Sequence, residues 1–300
     1  MTQICECNVG LANLGTPSCT KTIGRPYKIV FTELKNELGV LNSIASGVAI
    51  DQAYIDAAVQ NVEPKQRWFA SSDVKNFLSV KEDTTFYDYD DGTRVELREG
   101  RRSFTGMFEF ADNVFLGLLN KVKCANSGFY VITETGNILG YSKGDGDTYP
   151  IPVDVFVNTL NFQSGDAVQN VSFVLDIPLT VGDSMLSVIY GAEGDLVGID
   201  GLVQLAGTVG TPTATGYPVV LAGAGQYGFT DAYEGAVVGD FSAVDATGTS
   251  VTITSVTETP AGTYTFVFAG VATSDVITVS ATAVLMAKGF GFADFSGTIA

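Results

Sequence analysis

Histidine is absent from the 300-residue chain, and tryptophan occurs only once. The chain therefore lacks the commonest general base of enzymes and the commonest metal ligand of proteins. It also has no histidine that would activate a serine or cysteine as a nucleophile. We expect a protein that is not an enzyme and that holds no cofactor and no metal ion.

Basic residues are scarce, with 16 Lys and Arg against 33 Asp and Glu, and the net charge is −17. A surface that neutralises nucleic-acid phosphates is therefore excluded as the main activity. The imbalance is uneven along the chain. Residues 1–190 hold 15 basic and 23 acidic residues, whereas residues 191–300 hold only Lys288 against ten acidic residues. This difference in composition indicates a separate C-terminal module.

No run of 18 apolar residues occurs, so the sequence predicts no transmembrane helix and no membrane partner. The first residues, MTQICECNVG, contain neither a basic start nor an apolar core of the kind that secretion signals have. We therefore expect the protein to be made in a cytoplasm.

Cysteine is rare, and three of the four cysteines lie within the first nineteen residues: Cys5, Cys7, Cys19 and Cys124. Structural zinc sites use pairs spaced C-x₂₋₄-C, and the C-x-C spacing here matches that pattern poorly. Two interpretations stay open, namely reduced thiols and a late disulfide that fixes an N-terminal arm.

Residues 1–65 read as an irregular arm followed by two short helices. Glycine and proline interrupt the first 28 residues. In FTELKNELG, the spacing of Phe31, Leu34 and Leu38 predicts a helix that Gly39 would end. In DQAYIDAAVQ, the pattern predicts a second helix with Asp51 as its N-cap.

Residues 66–192 predict a sheet-rich domain with one packed helix. TTFYDY, RVELREG and RRSFTGMFEF alternate at strand period, with turns at Asp91-Gly92 and Gly100. IPVDVFVNTL and AVQNVSFVLDI predict later strands. A helix is expected near residues 112–123, capped by Asp112 and basic at its end (Lys121 and Lys123). One face of the RRSFTGMFEF strand is Phe104, Gly106, Phe108 and Phe110, and the helix stripe is Val114, Phe115, Leu118, Leu119 and Val122.

Residues 196–300 predict a small β-sandwich after a break near residues 190–198. Short alternating runs such as VTITSVTET, TYTFVFAGV and DVITVSATAVL lie between turn residues, and no helical period persists. The predicted fold class is therefore α+β and mainly β, with one helix packed on the first sheet-rich domain.

Three motifs with possible chemistry lack the context that the chemistry needs. The G-x-G-x-x-G of Gly223, Gly225 and Gly228 is followed by glycine-broken sequence and not by a helix, which favours a β connection over a dinucleotide site. Asp145 and Asp147 begin like a calcium loop, but the later ligands are missing. The carboxylates of DYDDGTRVELREGRR lie on an exposed strand beside arginines, which suits a solvated surface and not acid–base catalysis.

The order of these elements resembles the tail tube proteins of long-tailed bacteriophages, which share their fold with the tubes of contractile injection systems. YDDGTRVELREGRRSFTGMFEFADNVFLGLLNKV is similar to the hairpin-then-helix stretch of that family, and IPVDVFVNTLNFQSGDAVQNVSFVLDI to its closing strands. The resemblance covers roughly residues 66–190. It implies a β-sandwich or barrel, and tail tube proteins often carry an immunoglobulin-like C-terminal addition such as residues 196–300 would form.

The resemblance further implies a structural virion protein, assembled in the bacterial cytoplasm and located in the phage tail. Homohexameric rings would stack into a tube, contact other tail proteins and let viral DNA pass during ejection without specific binding. An acidic wall would repel the DNA. The charged hairpin would reach the next ring and set the register of stacking. The residues implied in that contact are Arg94, Glu96, Arg98, Glu99, Arg101 and Arg102.

Other classes of protein stay open at this point. The N-terminal arm with Cys5, Cys7 and Cys19 leaves room for a capsid decoration protein or a tail terminator. An adhesin-like surface β protein would have a similar acidic, glycine-rich composition, although the start of the sequence shows no secretion signal.

Overall fold

The computed structural model describes residues 24–111, 113–124, 126–165, 168–190, 194–223, 232–292 and 294–300. The predicted arm up to residue 23, with Cys5, Cys7 and Cys19, and the predicted cap Asp112 lie outside the described residues. The chain divides into two compact units. Unit 1 comprises Met1–Val59, Lys65–Asp112 and Leu119–Asp200, and unit 2 comprises Gln60–Pro64, Asn113–Leu118 and Gly201–Ala300.

Most elements of the described chain are β-strands, and the helices are short, which confirms the mainly β, α+β fold class. The elements from the start of unit 1 to residue 189, including the helix α2 that the two units share, are β1 (Pro26–Glu33), α1 (Gln52–Val59), β2 (Phe69–Ala70), β3 (Val74–Lys81), β4 (Thr85–Asp88), β5 (Arg94–Arg98), β6 (Arg102–Glu109), α2 (Asn113–Cys124), β7 (Ser127–Thr133), β8 (Ile138–Tyr141), β9 (Ile151–Pro152), β10 (Val155–Asn161), β11 (Asn170–Asp176) and β12 (Leu186–Ile189). In unit 2 they are β13 (Val203–Val209), β14 (Gly216–Gly223), β15 (Phe241–Asp245), β16 (Ser250–Val251), β17 (Ile253–Glu258), β18 (Thr263–Phe268), β19 (Val276–Ala281), α3 (Ala283–Ala287), β20 (Phe290–Phe292) and β21 (Phe295–Thr298).

Of the two helices predicted in the N-terminal region, one is present and one is wrong. The prediction for residues 51–60 is confirmed, since α1 spans Gln52–Val59 and the Asp51 carboxylate accepts a hydrogen bond from the Tyr54 backbone N–H at 2.8 Å. The helix predicted from Phe31 is wrong, because that segment is the end of β1. The run Ile29–Phe31 is fully buried and pairs with β7, so burial on both faces outweighs the spacing of three apolar residues.

Unit 1 contains two sheets that pack face to face. The larger sheet has the order β12-β8-β7-β1-β2, with β9 added to β7, and the four-stranded sheet has the order β10-β11-β6-β3. Aromatic rings join them: the Phe31 and Phe156 rings stack at 5.7 Å, and the Phe104 and Phe129 rings meet edge to face at 5.8 Å. The core of unit 1 therefore lies between these sheets.

The alternation predicted for the four-stranded sheet is confirmed along β11 and for most of β6. Val171, Phe173 and Leu175 of β11 are buried, as are Phe104 and Phe108 of β6. Phe110 is an exception to the predicted face. The strand ends at Glu109, and Phe110 adopts a left-handed backbone with φ of +58° and a side chain that is 79% exposed.

The predicted helix near residues 112–123 is present as α2. Its last turn carries Lys121 and Lys123, as predicted, and Leu119 is buried while Phe115 and Val122 are partly buried. The first part of α2, Asn113–Leu118, belongs to unit 2, and the part from Leu119 onward belongs to unit 1.

Unit 2 consists of a five-stranded sheet, β17-β18-β14-β13-β20, and a four-stranded sheet, β16-β15-β19-β21. Both sheets contribute to one apolar core, in which Tyr217, Phe266 and Ile277 are completely buried. The prediction that no helix follows the break is wrong at α3, which continues the DVITVSATAVL run after β19 and buries Leu285 and Met286. Within the described residues no helix is long and apolar enough to cross a membrane.

Candidate assembly surfaces

A two-stranded ribbon formed by β4 and β5 stands outside both sheets of unit 1, and we call it the hairpin. Every residue of its two strands is exposed. Its turn closes through hydrogen bonds from the Tyr89 N–H to the Thr93 carbonyl (2.8 Å) and from the Gly92 N–H to the Tyr89 carbonyl (2.9 Å). Gly92 has a φ of +85°, which glycine adopts without strain, so the predicted Asp91-Gly92 turn is confirmed. The Thr93 N–H bonded to the Asp91 carboxylate lowers the pKa of that group.

The hairpin has one charged side and one apolar side. Pairing of Asp88 with Arg94 and of Phe86 with Glu96 places these residues on the same side, where the Arg94 guanidinium lies 3.0 Å from the Asp88 carboxylate. The opposite side carries four half-exposed apolar residues, Tyr87, Tyr89, Val95 and Leu97. An isolated two-stranded ribbon is marginally stable in water, so this apolar side favours a covering partner.

A network of ion pairs fixes the base of the hairpin to the rest of unit 1. The Lys81 ammonium lies 2.6 Å from the Glu99 carboxylate and 2.9 Å from that of Asp183, and the Arg102 Nε lies 2.7 Å from Asp183. The hydrogen bond from Arg102, aided by Lys81, lowers the pKa of Asp183 to about 2. Gly100 fits at this base because a Cβ there would lie 1.7 Å from the Glu82 carbonyl oxygen.

The six residues implied in the inter-ring contact fall into two groups. Arg94, Glu96 and Arg98 lie along β5 on the charged side of the hairpin, where Arg98 pairs with Glu82 at 3.1 Å. Glu99, Arg101 and Arg102 lie at the base and are paired within unit 1. Arg101 contacts Asp154 at 2.8 Å and Asp176 at 3.9 Å.

Sequence reasoning missed the partners that fix the hairpin base. Asp183 is 102 positions from Lys81 along the chain, and Asp154 is likewise distant from Arg101. No local period or spacing marks such a pair, because the sheet order alone brings β3, β6 and the segment after β11 together.

The four-stranded sheet has a second exposed surface, its outer face, on the side opposite Phe104 and Phe108. Two rows of paired residues cross it. One row is Val157, Val174, Thr105 and Leu78, and the next is Val155, Asp176, Ser103 and Val80. Both rows begin and end in an apolar side chain on an edge strand. These four side chains are exposed by 39–61%: Leu78, Val80, Val155 and Val157.

Charge is sparse on the outer face. By strand alternation, its charged residues on the four strands are Lys75, Glu109 and Asp176, and the rest are mostly Ser, Thr, Asn and Val. Among the described strands, the outer face therefore has no cluster of cations that would bind phosphates.

The remaining motifs do not form sites among the described residues. The Asp145 carboxylate accepts hydrogen bonds from the Tyr149 hydroxyl (2.6 Å) and the Asp147 N–H (3.1 Å). The bond from the Tyr149 hydroxyl raises the pKa of Tyr149 to about 12. The Asp147 carboxylate accepts a hydrogen bond from the Ser46 N–H. Gly223 ends β14, and Gly225 and Gly228 lie outside the described residues. The described part of the chain contains no group of three or more His, Cys, Asp or Glu placed to hold a metal ion.

Comparison with known proteins finds no matching family model, no matching curated protein and no matching solved structure. The fold and the surfaces described above define the class: a mainly β protein of two units, one of which exposes an amphipathic hairpin and the edges of an open sheet.

Proposed function

We propose that this chain is a structural subunit that assembles with copies of itself, and specifically a tail tube protein of a bacteriophage. The observation that carries the proposal is the four-stranded sheet with matching edges. Its edge strands, β3 and β10, both present apolar side chains on the outer face at the same two levels of the sheet. Exposed apolar edges are an aggregation hazard that a subunit avoids by joining them in a closed ring.

The strand directions support such a joint. In the order β10-β11-β6-β3 each neighbouring pair is antiparallel, so β3 and β10 run in opposite directions. Placing β3 of one copy beside β10 of the next therefore continues the antiparallel pattern. Leu78 and Val80 then lie next to Val155 and Val157 of the neighbour. Covering each half-exposed side chain contributes about 1 kcal/mol, in addition to the new backbone hydrogen bonds.

The character of the outer face supports a channel wall. The inner face is covered by the larger sheet of unit 1, which leaves the outer face to line a ring. Its few charges of both signs and many hydroxyl and amide groups would let DNA pass without adhesion. Repulsion of DNA by an acidic wall stays a prediction. On this face the four described strands carry only two carboxylates, those of Glu109 and Asp176. Hexameric symmetry and the virion tail location rest on the resemblance.

The test is a charge placed on the edge strand. Val157→Lys puts an ammonium in the middle of β10, where lysine is known to block edge pairing. We expect the variant to stay folded and monomeric while the unchanged chain forms rings and tubes in negative-stain images and in analytical ultracentrifugation. The matched control is Val220→Lys in β14, because Val157 and Val220 are both 46% exposed.

The shape of the particles also separates the alternatives. Rings from Val157→Lys would refute the edge joint, and an unchanged chain that stays monomeric at high concentration would refute the assembly proposal and favour an adhesin-like protein. Trimers would indicate a capsid decoration protein, and single rings that never stack a tail terminator.

A further inference from the structure

The end of the four-stranded sheet farthest from the hairpin exposes apolar side chains, and we call Phe110, Phe162 and Val168 the aromatic end. Their exposed fractions are 79%, 78% and 38%. Phe110 follows β6 and Phe162 follows β10. The residues before them, Glu109 and Asn161, both pair with Asn170 of β11, so the two phenylalanines leave the same end of the sheet, about 10 Å apart.

The backbone is strained at this end. Phe110 has a φ of +58°, and Asn76, in the bulge of β3 that lies opposite β6 between Thr105 and Met107, has a φ of +50°. Among the described residues of unit 1, these two are the non-glycine residues with positive φ. Asparagine tolerates the left-handed region, whereas phenylalanine rarely occupies it. Strain of this kind concentrates at functional sites, and here it holds an aromatic ring in solvent.

The hairpin leaves the opposite end of the same sheet. It connects the last residue of β3, Lys81, to the first residue of β6, Arg102, and β6 then runs eight residues to Glu109. At about 3.3 Å per residue the two ends are about 26 Å apart. One subunit therefore presents an apolar ribbon at one end of its sheet and an apolar aromatic surface at the other.

We propose that the apolar side of the hairpin of one copy docks on the aromatic end of the next copy. The inference rests on the proposed function and names the residues that receive the hairpin. A contact between two different surfaces at opposite ends of one subunit is head to tail, and it repeats without closing, as axial stacking requires. Tyr87, Tyr89, Val95 and Leu97 would cover the rings of Phe110 and Phe162, in the manner of aromatic anchors at interfaces.

Charge complementarity favours the same occupant. The aromatic end carries one charge of each sign, Lys75 and Glu109, and neither forms an ion pair within the described residues. The hairpin offers acidic partners to Lys75, with Asp90 and Asp91 at its turn, whereas its Arg94 already pairs with Asp88. Opposite charges at the rim of an apolar contact fix its orientation more than its strength.

The experiment removes each side of the contact in the full chain. The end variant is Phe110→Asn with Phe162→Ser, in which asparagine suits the left-handed backbone. The hairpin variant is Tyr87→Ser with Leu97→Ser. The control is Leu38→Ser with Val40→Ser, which removes two exposed apolar side chains elsewhere in unit 1. We expect both test variants to form rings that stack about thirtyfold more weakly than rings of the control.

Mixing the two test variants identifies the contact. Each variant keeps one working surface, so the mixture should give pairs of stacked rings at protein concentrations too low for either variant to stack alone. Normal tubes from the folded end variant would overturn this inference and leave the edge joint intact, as would a mixture without ring pairs. Rings that never stack, even from the unchanged chain, would also overturn it, whereas a chain that forms no rings would refute the proposed function itself. If the end variant does not fold, by circular dichroism, Phe162→Ser alone replaces it.

Discussion

The two units differ most in the apolar side chains that they leave exposed. In the described part of unit 2, all the exposed large apolar residues are valines: Val62, Val203, Val220, Val237, Val238, Val276 and Val284. Unit 1 also exposes aromatic and leucine side chains: Leu38, Phe69, Leu78, Phe86, Tyr87, Tyr89, Leu97, Phe110, Phe162 and Leu179. Contiguous exposure of large apolar side chains marks interaction surfaces, so we expect the proposed association to take place through unit 1.

The units also use charge differently. Most ion pairs of unit 1 lie at or near its surface, and several fix the base of the hairpin. Among the described residues, the exception is the buried Lys28, whose ammonium lies 3.3 Å from the exposed Asp200 carboxylate. In unit 2 the pair described is Lys288 with Asp240, at 2.7 Å, and the Asp240 side chain is completely buried. Its Oδ2 also accepts a hydrogen bond from the Val237 N–H, while Oδ1 has no partner within the described residues. This ion pair therefore contributes to the folding of unit 2.

The largest predicted effect is in unit 2. Lys288→Met leaves the Asp240 carboxylate buried without its cation, and we expect a loss of about 3–5 kcal/mol in the stability of unit 2. Because Trp68, the single tryptophan, is in unit 1, hydrogen exchange of the β15 and β19 amides is the measurement. Assembly should not change as long as unit 2 stays folded.

Two variants control this prediction. Lys143→Met removes an exposed lysine of unit 1 and should leave exchange in unit 2 unchanged. Asp240→Leu combined with Lys288→Met removes both charges and should recover most of the lost stability. Unaltered exchange in Lys288→Met would mean that the ion pair contributes little to the stability of unit 2.

The prediction of intermediate size is that substitutions at the hairpin base cost more stability than substitutions on the hairpin itself. Arg101→Glu places a third carboxylate beside Asp154 and Asp176, and we expect unit 1 to lose about 2 kcal/mol of stability, measured by Trp68 fluorescence in urea. Arg98→Glu breaks a surface pair with Glu82, and the expected loss is about 0–1 kcal/mol. Equal losses in the two variants would contradict the division between hairpin and base.

How far the sequence predicts this molecule depends on whether the signal is local. The alternation of Val171, Phe173 and Leu175 and the cap Asp51 are local patterns, and both predictions are confirmed. The spacing of Phe31, Leu34 and Leu38 is local too, but pairing of β1 with β7 overrides it. Neither the strained Phe110 nor the outer-face rows is visible in the sequence, because each depends on which strands become neighbours.

The smallest predicted effect is the pH dependence of the stability that Asp183 gives to the hairpin base. The pKa of Asp183 falls to about 2 in the folded chain, from 3.8 for the free side chain, chiefly through the hydrogen bond from Arg102. A lowered carboxyl pKa stabilises the fold above pH 4, and this contribution disappears as the pH falls from about 4 to about 2. Because the Asp183 side chain is 41% exposed, solvent screening reduces the contribution to about 1 kcal/mol. The measurement is urea unfolding of unit 1 at several pH values, comparing the unchanged chain with Asp183→Asn. The difference between the two should be constant above pH 5 and should shrink toward zero near pH 2, whereas a difference that does not vary with pH would show that the Asp183 charge does not stabilise the hairpin base.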